Sequence, residues 1–245
     1  MNRPDTVKKN VQSFDNDVLV SGSYAYTQER LSSKTANANT SAAIAAAVPF
    51  AGKRVLDLGC GDGAYTVDFA ALGVESVLGI DPVAAAVEAA SARAKKLGVD
   101  AKVRFEVGNI YEIDGILREG GFDCIVLRGV LHHLPDPERA IATLAGFRGS
   151  VVVLEPNGLN PLLKLIERFS AYHVEHEERS FSPSLIRKWL RSAGFEIIET
   201  RVLNLVPIFC PDWMARSLNQ VGPLVEHIPL LRDIACGQVL ISARG

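Results

Sequence analysis

The stretch Val55–Thr66, VLDLGCGDGAYT, holds the residues whose types and spacing point most directly to chemistry. An apolar run ends in Asp57, and glycines follow at alternate positions, Gly59, Gly61 and Gly63. Glycine lets the backbone turn sharply and lets a ligand lie against the main chain. A carboxylate at such a turn suits a ligand's ammonium group, whereas a pyrophosphate prefers a G-x-G-x-x-G loop without one. The stretch therefore predicts a site for a ligand that carries an amine.

Two further polar positions follow later apolar runs. The carboxylate of Asp81 is placed to accept both hydroxyls of a ribose, although an Asp before a proline is also a plausible helix N-cap. The amide of Asn109 can pair with an adenine edge while Ile110 packs on the ring, although a lone Asn is more often a turn residue. Because ligands of open α/β sheets bind at the carboxyl ends of strands, the three positions together predict a nucleoside with an amino-acid tail.

The elements that must position these residues follow a repeated pattern. Between Lys53 and Gly158, short apolar β-rich runs alternate with helical stretches, which is typical of βαβ units in a parallel sheet covered on both faces. The predicted strands are Val55–Leu58, Ser76–Ile80, Val103–Val107, Asp123–Leu127, Ser150–Glu155, Phe195–Leu203 and Gln238–Ala243. The predicted helices are an alanine-rich one before Val48, then Ala64–Leu72, Pro82–Leu97, Asp136–Phe147, Pro161–Tyr172 and one from Ser182 to Gly194.

Length and composition limit the remaining possibilities. The 245 residues are 48% hydrophobic and 22% charged, which favours one sizeable folded domain. The net charge of -2 gives no electrostatic reason to bind nucleic acid. Four scattered cysteines argue against a zinc cluster or a disulfide framework and fit a cytoplasmic protein. Since no apolar run approaches ~18 residues, we expect no membrane span, and we predict no metal.

At these motifs the chain resembles the small-molecule group of class I S-adenosylmethionine-dependent methyltransferases. LDLGCGDG is similar to the family's first motif, GID to its ribose-binding motif and GNI to its adenine motif, where Asp is commoner than Asn. FDCIVLRGVLHHLPDPERAI is similar to the fourth-strand segment and VVVLEPN to the fifth. The resemblance covers about residues 50 to 160, with a weaker similarity near Ser182–Phe195.

The resemblance implies S-adenosylmethionine as cofactor and an α/β, Rossmann-like fold. Its seven-stranded, mostly parallel sheet would have the order 3-2-1-4-5-7-6, with strand 7 antiparallel, helices on both faces and an N-terminal helical cap. Residues 1–50 would form that cap and 51–245 the methyltransferase domain, with a lid at 156–194 and an apolar insertion at 205–237. The cofactor-binding residues that it implies are Asp57, Gly59, Gly61, Gly63, Asp81, Asn109, Ile110, Arg128 through its backbone, and Tyr26.

The role of Tyr26 stays open at this point. An aromatic side chain in the cap could exclude water and face the sulfonium through its π surface. Ordinary packing on a surface helix explains an aromatic residue there equally well.

Candidate residues for the methyl acceptor come from three segments. His132 or His133, in LHHLPDP, is predicted to take a proton from a hydroxyl or ammonium nucleophile, since imidazole titrates near neutral pH. Simple packing at a helix end is the alternative for each of them. Glu155, His176 and Phe181 are predicted to face the acceptor.

The sequence thus predicts an enzyme that methylates a small organic acceptor on oxygen or nitrogen. An alternative substrate is a lipid-linked or quinone-type molecule at a membrane, with peripheral contact through the apolar insertion. A second alternative is a non-catalytic S-adenosylmethionine-binding module. A nicotinamide-dependent dehydrogenase is disfavoured by the D-x-G-x-G-x-G loop. The sequence does not indicate the oligomeric state.

Overall fold

The computed structural model describes residues 30–169 and 179–245. Within them, seven strands form one sheet in the order β3-β2-β1-β4-β5-β7-β6, with β7 antiparallel to both of its neighbours and the other pairs parallel. The predicted strand order and the antiparallel β7 are therefore confirmed. The strands are β1 Arg54–Leu58, β2 Ser76–Asp81, β3 Val103–Val107, β4 Cys124–Arg128, β5 Ser150–Pro156, β6 Glu196–Leu203 and β7 Gln238–Arg244.

Helices cover both faces of this sheet. One face packs against α4 and α6 through a large apolar cluster, and the other packs against α1 and a 3-10 helix through a second cluster. The central strands are buried on both faces, which is why their sequences are almost continuously apolar. The described α-helices are α1 Leu31–Ala47, α2 Ala84–Leu97, α3 Asp114–Gly120, α4 Pro137–Ala142, α5 Pro161–Phe169, α6 Pro183–Ser192, α7 Asp212–Glu226 and α8 Leu231–Ala235.

Local capping explains where two helices begin. The Asp136 side chain accepts from the Arg139 backbone N–H at 3.2 Å, and Pro137 occupies the first helical position, as predicted. Ser182 likewise caps α6 by accepting from Leu185 N–H. Both caps start helices that pack against the sheet through the main apolar cluster.

Several predicted helices differ in length or type. The segment after β1 is a 3-10 helix, Thr66–Leu72, rather than an α-helix from Ala64. Helix α4 ends at Ala142 instead of Phe147, where the Thr143 hydroxyl donates to two carbonyls, those of Ala140 and Ile110. Helix α3 was not predicted, because its seven residues bury no side chain and so carry little periodic signal.

The apolar insertion at 205–237 contains α7 and α8 and packs on the first helix. The hydroxyls of Ser32 and Ser33 donate to the Ile208 carbonyl at 2.7 and 3.0 Å. A small buried cluster of Ala36, Val206 and Ala215 joins the same two segments. Part of the insertion therefore serves as a support for α1. Among the described residues, no helix has both the length and the apolar character needed to span a bilayer.

Candidate active site

The glycine-rich turn after β1 adopts a backbone that other residues rarely adopt. Gly59, Gly61 and Gly63 have φ values of 76°, 55° and 70°. A Cβ on Gly59 would also lie 2.5 Å from a methyl of Val130. The amides of Gly59 and Cys60 donate to the Ile80 carbonyl, so the turn is held against the end of β2. The sequence pattern therefore reflects a real conformational requirement.

Asp57 is a buried carboxylate at the end of β1. Its Oδ2 accepts from the Thr66 hydroxyl at 2.6 Å. Burial raises the pKa of Asp57 to about 6, although the Thr66 hydrogen bond and the Arg128 charge lower it. The carboxylate lines a cavity of about 330 Å³ between α1 and the 3-10 helix. Because its protein partners do not offset the desolvation, this site fits an incoming ammonium group.

Asp81, at the end of β2, supports the turn and keeps capacity for a ligand. Its Oδ2 accepts from Gly61 N–H at 2.9 Å and its Oδ1 from Val83 N–H at 3.0 Å. Burial raises the pKa of this carboxyl group while the two backbone donors lower it. A carboxylate has about four acceptor positions, so two remain, which fits the two hydroxyls of a ribose.

Asn109 and Ile110 follow β3 as predicted, and both side chains also make contacts that stabilise the local structure. Asn109 Oδ1 accepts from Tyr111 N–H at 3.0 Å and caps a short 3-10 helix, Ile110–Glu112. Ile110 is buried and belongs to the main apolar cluster. The side chain of Asn109 therefore offers its amide nitrogen, rather than Oδ1, to an adenine edge.

The Arg128 side chain turns toward α1. Its guanidinium donates to the hydroxyls of Ser41 and Thr40, each at 2.7 Å, and lies 3.6 Å from the ring centre of Tyr65. The sequence suggested only a backbone contact for Arg128. The structure shows in addition that this residue ties the end of β4 to the first described helix.

One ion pair that sequence reasoning missed secures the glycine turn. Arg93, on α2, donates to the Asp62 carbonyl and to its Oδ2, both at 3.1 Å. Asp62 is buried, and its Oδ1 accepts from Ala64 N–H at 3.2 Å. An acidic residue inside the glycine turn was the available signal, but nothing in the sequence identified its partner 31 positions away.

His132 lies just beyond β4 and contacts a carboxylate on β5. Its Nδ1 is 2.8 Å from Glu155 Oε2, and its ring lies against that of His133, with 3.8 Å between centres and a tilt of 41°. The His132 side chain is 13% exposed and that of Glu155 is 0% exposed. Glu155, which we expected to face the acceptor, is thus buried beneath this turn with protein donors around it.

The other predicted acceptor contacts are placed as follows. Phe181 pairs with Asn157 in an isolated bridge beyond β5, and its ring meets Trp189 of α6 edge-on at 5.0 Å. This ring therefore packs toward the core beside the site. His176 and Tyr26 lie outside the described residues. Within the described ranges, no group of three or more His, Cys, Asp or Glu side chains is arranged to hold a metal ion.

Comparisons with known proteins identify the family of the chain. Residues 49–194 match the model of a methyltransferase domain family. A ubiquinone biosynthesis O-methyltransferase from Hahella chejuensis is 32% identical over 198 residues, which are 77% of this chain and 80% of that protein. A second protein of that name, from Cupriavidus pinatubonensis, is 30% identical over 172 residues, 64% of this chain and 66% of its own length.

Solved structures share the fold at lower identity. Magnesium protoporphyrin IX methyltransferase from Synechocystis with bound S-adenosylhomocysteine has a TM-score of 0.62 at 19% identity, covering 96% of this chain and 95% of that one. Geranyl diphosphate methyltransferase in complex with S-adenosylmethionine has a TM-score of 0.60 at 21% identity, with 84% of each chain covered.

The chain belongs to the methyltransferase family whose model matches more than half of its length. Its fold is that of the class I enzymes, with Asp57, Asp81 and the glycine turn at the carboxyl ends of neighbouring strands. It is an S-adenosylmethionine-dependent methyltransferase.

Proposed function

We propose that this methyltransferase transfers its methyl group to a hydroxyl oxygen of a small organic acceptor, with a phenolic ring as the favoured class. The observation that carries the proposal is the 2.8 Å contact between His132 Nδ1 and Glu155 at the carboxyl end of the sheet. A hydroxyl must lose its proton during methylation, and a positioned imidazole can take it. The names of the two curated relatives, both O-methyltransferases, support the same class of acceptor.

In this proposal the strand ends hold the cofactor. Asp57 pairs with its ammonium group, Asp81 accepts from its ribose hydroxyls, and the Asn109 amide with the Ile110 backbone turn borders its adenine. The turn of Gly59, Gly61 and Gly63 lets the ligand approach the main chain, and the Arg128 backbone lies beside its methionine end. When bound, S-adenosylmethionine supplies a methyl group on a positively charged sulfur, which leaves as a neutral thioether.

The protein orients the acceptor and keeps the reaction away from water. His132 takes the hydroxyl proton, and the neighbouring His133 ring limits its movement. Phe181 supports the wall of the acceptor site through its contact with Trp189, and His176 is proposed to complete that site. Residues 1–50, which include Tyr26 and α1, form the cap over the cofactor, and 156–194 form the lid. We place the enzyme in the cytoplasm, in keeping with four free cysteines.

A second version of the function has a membrane-borne acceptor. Several apolar side chains on α5 and around α7 and α8 are strongly exposed: Phe169 at 72%, Trp213 at 69% and Leu230 at 77%. Exposed aromatic and aliphatic groups of this kind favour a lipid surface. Cosedimentation of the protein with phosphatidylcholine vesicles tests this version, and loss of binding in a Trp213→Ser, Leu230→Ser variant would support it.

Methyl transfer to paired model acceptors tests the main proposal. A phenol, a cyclic aliphatic alcohol and an aromatic amine of similar ring size are each incubated with the enzyme and labelled cofactor. The labelled product is then measured. We expect turnover with the phenol and a loss of ~10²- to 10⁴-fold in His132→Ala, with unchanged affinity for S-adenosylhomocysteine by calorimetry. Preferred turnover of the amine, unaffected by the His132 substitution, would contradict the proposal.

A further inference from the structure

Glu155 is the one charged residue of β5 and follows its apolar run Val151–Leu154, and its carboxylate is completely buried. Oε1 accepts from the backbone N–H groups of Val130 and Leu131 at 2.8 and 2.7 Å. Oε2 accepts from His132 N–H at 3.3 Å and contacts His132 Nδ1 at 2.8 Å. A buried carboxylate would be very unfavourable without such donors, so the whole turn after β4 is organised around this one group.

The contact with Nδ1 fixes the state of the imidazole. Under conditions where Glu155 is ionised, its oxygens can only accept hydrogen bonds, and Nδ1 must therefore carry the hydrogen. In the neutral ring the lone pair then lies on Nε2. The ring is also held in position by the His133 ring, which lies against it with 3.8 Å between ring centres and a tilt of 41°. Tautomer and orientation are thus both set by the surroundings.

We propose that Glu155 is a positioning residue for methyl transfer, which holds His132 as the Nδ1–H tautomer so that Nε2 acts as the base. This inference rests on the proposed function. As the acceptor oxygen uses an electron pair to bond the methyl carbon, the carbon–sulfur bond breaks with its electrons passing to sulfur. The hydroxyl proton moves to Nε2. The resulting imidazolium is stabilised by the adjacent carboxylate, and the proton later passes to solvent.

Other charged groups near the ring do not replace this contact. His133 belongs to the same turn, and Arg179 approaches from the segment before α6. The Arg179 backbone N–H donates to the His132 carbonyl at 3.2 Å, while its guanidinium reaches the carbonyls of Leu134 and Pro135 at 3.4 and 3.5 Å. In the contacts described for the His132 ring, Glu155 is the carboxylate that faces Nδ1.

The variant Glu155→Gln separates positioning from support of the turn. Its amide oxygen can still accept from Val130 and Leu131, so its nitrogen must face His132, and only the longest of the three backbone bonds, the one of 3.3 Å from His132 N–H, loses its acceptor. An amide nitrogen donates, which places the lone pair on Nδ1 and the hydrogen on Nε2. The shape of the side chain is conserved while the tautomer is reversed. Glu155→Ala is the unsuitable choice, because it leaves several buried N–H groups without an acceptor.

The decisive experiment compares two phenols in wild type, E155Q and H132A. With a phenol that is protonated at the assay pH, we expect kcat of E155Q to fall at least ~10²-fold, with an unchanged Kd for S-adenosylhomocysteine. With a nitrophenol that is already ionised, no proton needs removal, and the ratio of wild type to E155Q should shrink below ~10-fold. The double variant should lose no more than either single variant, since the two residues act as one unit.

Nitrogen-15 spectra of labelled histidine provide a readout that needs no variant. We expect the His132 signals of the wild type to show hydrogen on Nδ1, and those of E155Q to show it on Nε2. An equal loss with both phenols, or hydrogen on Nε2 in the wild type, would overturn the inference. If H132A is as active as wild type, His132 is not the base and the proposed function is contradicted. If H132A is impaired but E155Q is not, His132 remains the base and only the positioning role of Glu155 is contradicted.

Discussion

The Arg128 guanidinium, at the end of β4, donates a hydrogen bond of 2.7 Å to the Thr40 hydroxyl on α1. The same guanidinium reaches Ser41 and stacks on Tyr65, so one side chain joins three segments. It also lies near enough to Asp57 to lower that residue's pKa. The first described helix and the proposed ammonium site are therefore coupled through Arg128.

Replacing Arg128 by Met should loosen this helix. We expect the free energy of unfolding to fall by ~1 to 3 kcal/mol, because hydrogen bonds to charged groups are lost. Hydrogen exchange of the amides in residues 31–47 should become faster than in the wild type. Arg201→Met is the matched control, since Arg201 also makes a 3.0 Å ion pair but is largely exposed, and its loss should change stability by less than ~1 kcal/mol. Equal exchange in both variants would contradict the coupling.

Replacing Asp57 by Asn should stabilise the protein and weaken cofactor binding. Folding raises the Asp57 pKa from 3.8 to about 6, so at neutral pH the ionised carboxylate destabilises the native state by up to ~3 kcal/mol. The amide removes the charge and can still accept from Thr66. We expect a higher Tm at pH 7 and a Kd for S-adenosylhomocysteine at least ~10-fold larger. A lower Tm with unchanged affinity would show that the carboxylate is structural.

The pH dependence of cofactor binding follows from the same group. Between about pH 4 and pH 6 the folded state holds a proton on Asp57 that the unfolded state has lost, so this residue's contribution to stability decreases as the pH rises through that range. Binding of an ammonium group needs the opposite, ionised form. Affinity for S-adenosylhomocysteine should therefore fall by up to ~10-fold per pH unit below pH 6. Calorimetry at pH 5, 6 and 7.5 checks this, and Asp57→Asn should show a shallower profile, since the Asp81 carboxyl group, whose pKa burial also raises, still titrates.

Two glycines with similar backbone angles allow the glycine turn to be tested. Gly59 and Gly98 have φ values of 76° and 68°, but a Cβ would meet Val130 at 2.5 Å only at the first position, and open space at the second. Gly98→Ala should cost ~1 kcal/mol of stability from backbone strain alone. Gly59→Ala should cost at least ~3 kcal/mol and weaken cofactor binding, because the turn must shift as well. Equal effects in thermal unfolding would show that the contact with Val130 is accommodated.

The frame of the site could be predicted from sequence because its signals are local. Buried strands show as apolar runs, the turn after β1 shows as alternate glycines, and the caps at Asp136 and Ser182 show as single residues before helices. The order of the strands was predicted from the resemblance to a family, because no local sequence signal shows which strands a crossover connection makes neighbours. These features place Asp57 and Asp81 at the carboxyl ends of neighbouring strands.

What could not be predicted depends on pairs that are distant in sequence. Glu155 was expected to face the acceptor, but its carboxylate is buried against the turn after β4. Its partners, the three backbone N–H groups after β4, are invisible in a sequence. The contacts of Arg93 with Asp62 and of Arg128 with Thr40 were missed for the same reason. A useful clue is that an acid that closes a wholly apolar strand must find donors if it is buried.

The place of β7 between β5 and β6 has a consequence for biosynthesis. The ribosome makes β6 before β7, yet β7 is the strand that joins β6 to the described sheet. While the nascent chain still lacks β7, the backbone groups of β6 have no strand partner in the described sheet, a state prone to misassembly. A premature stop codon just upstream of Gln238 would therefore remove two strands from the sheet instead of one.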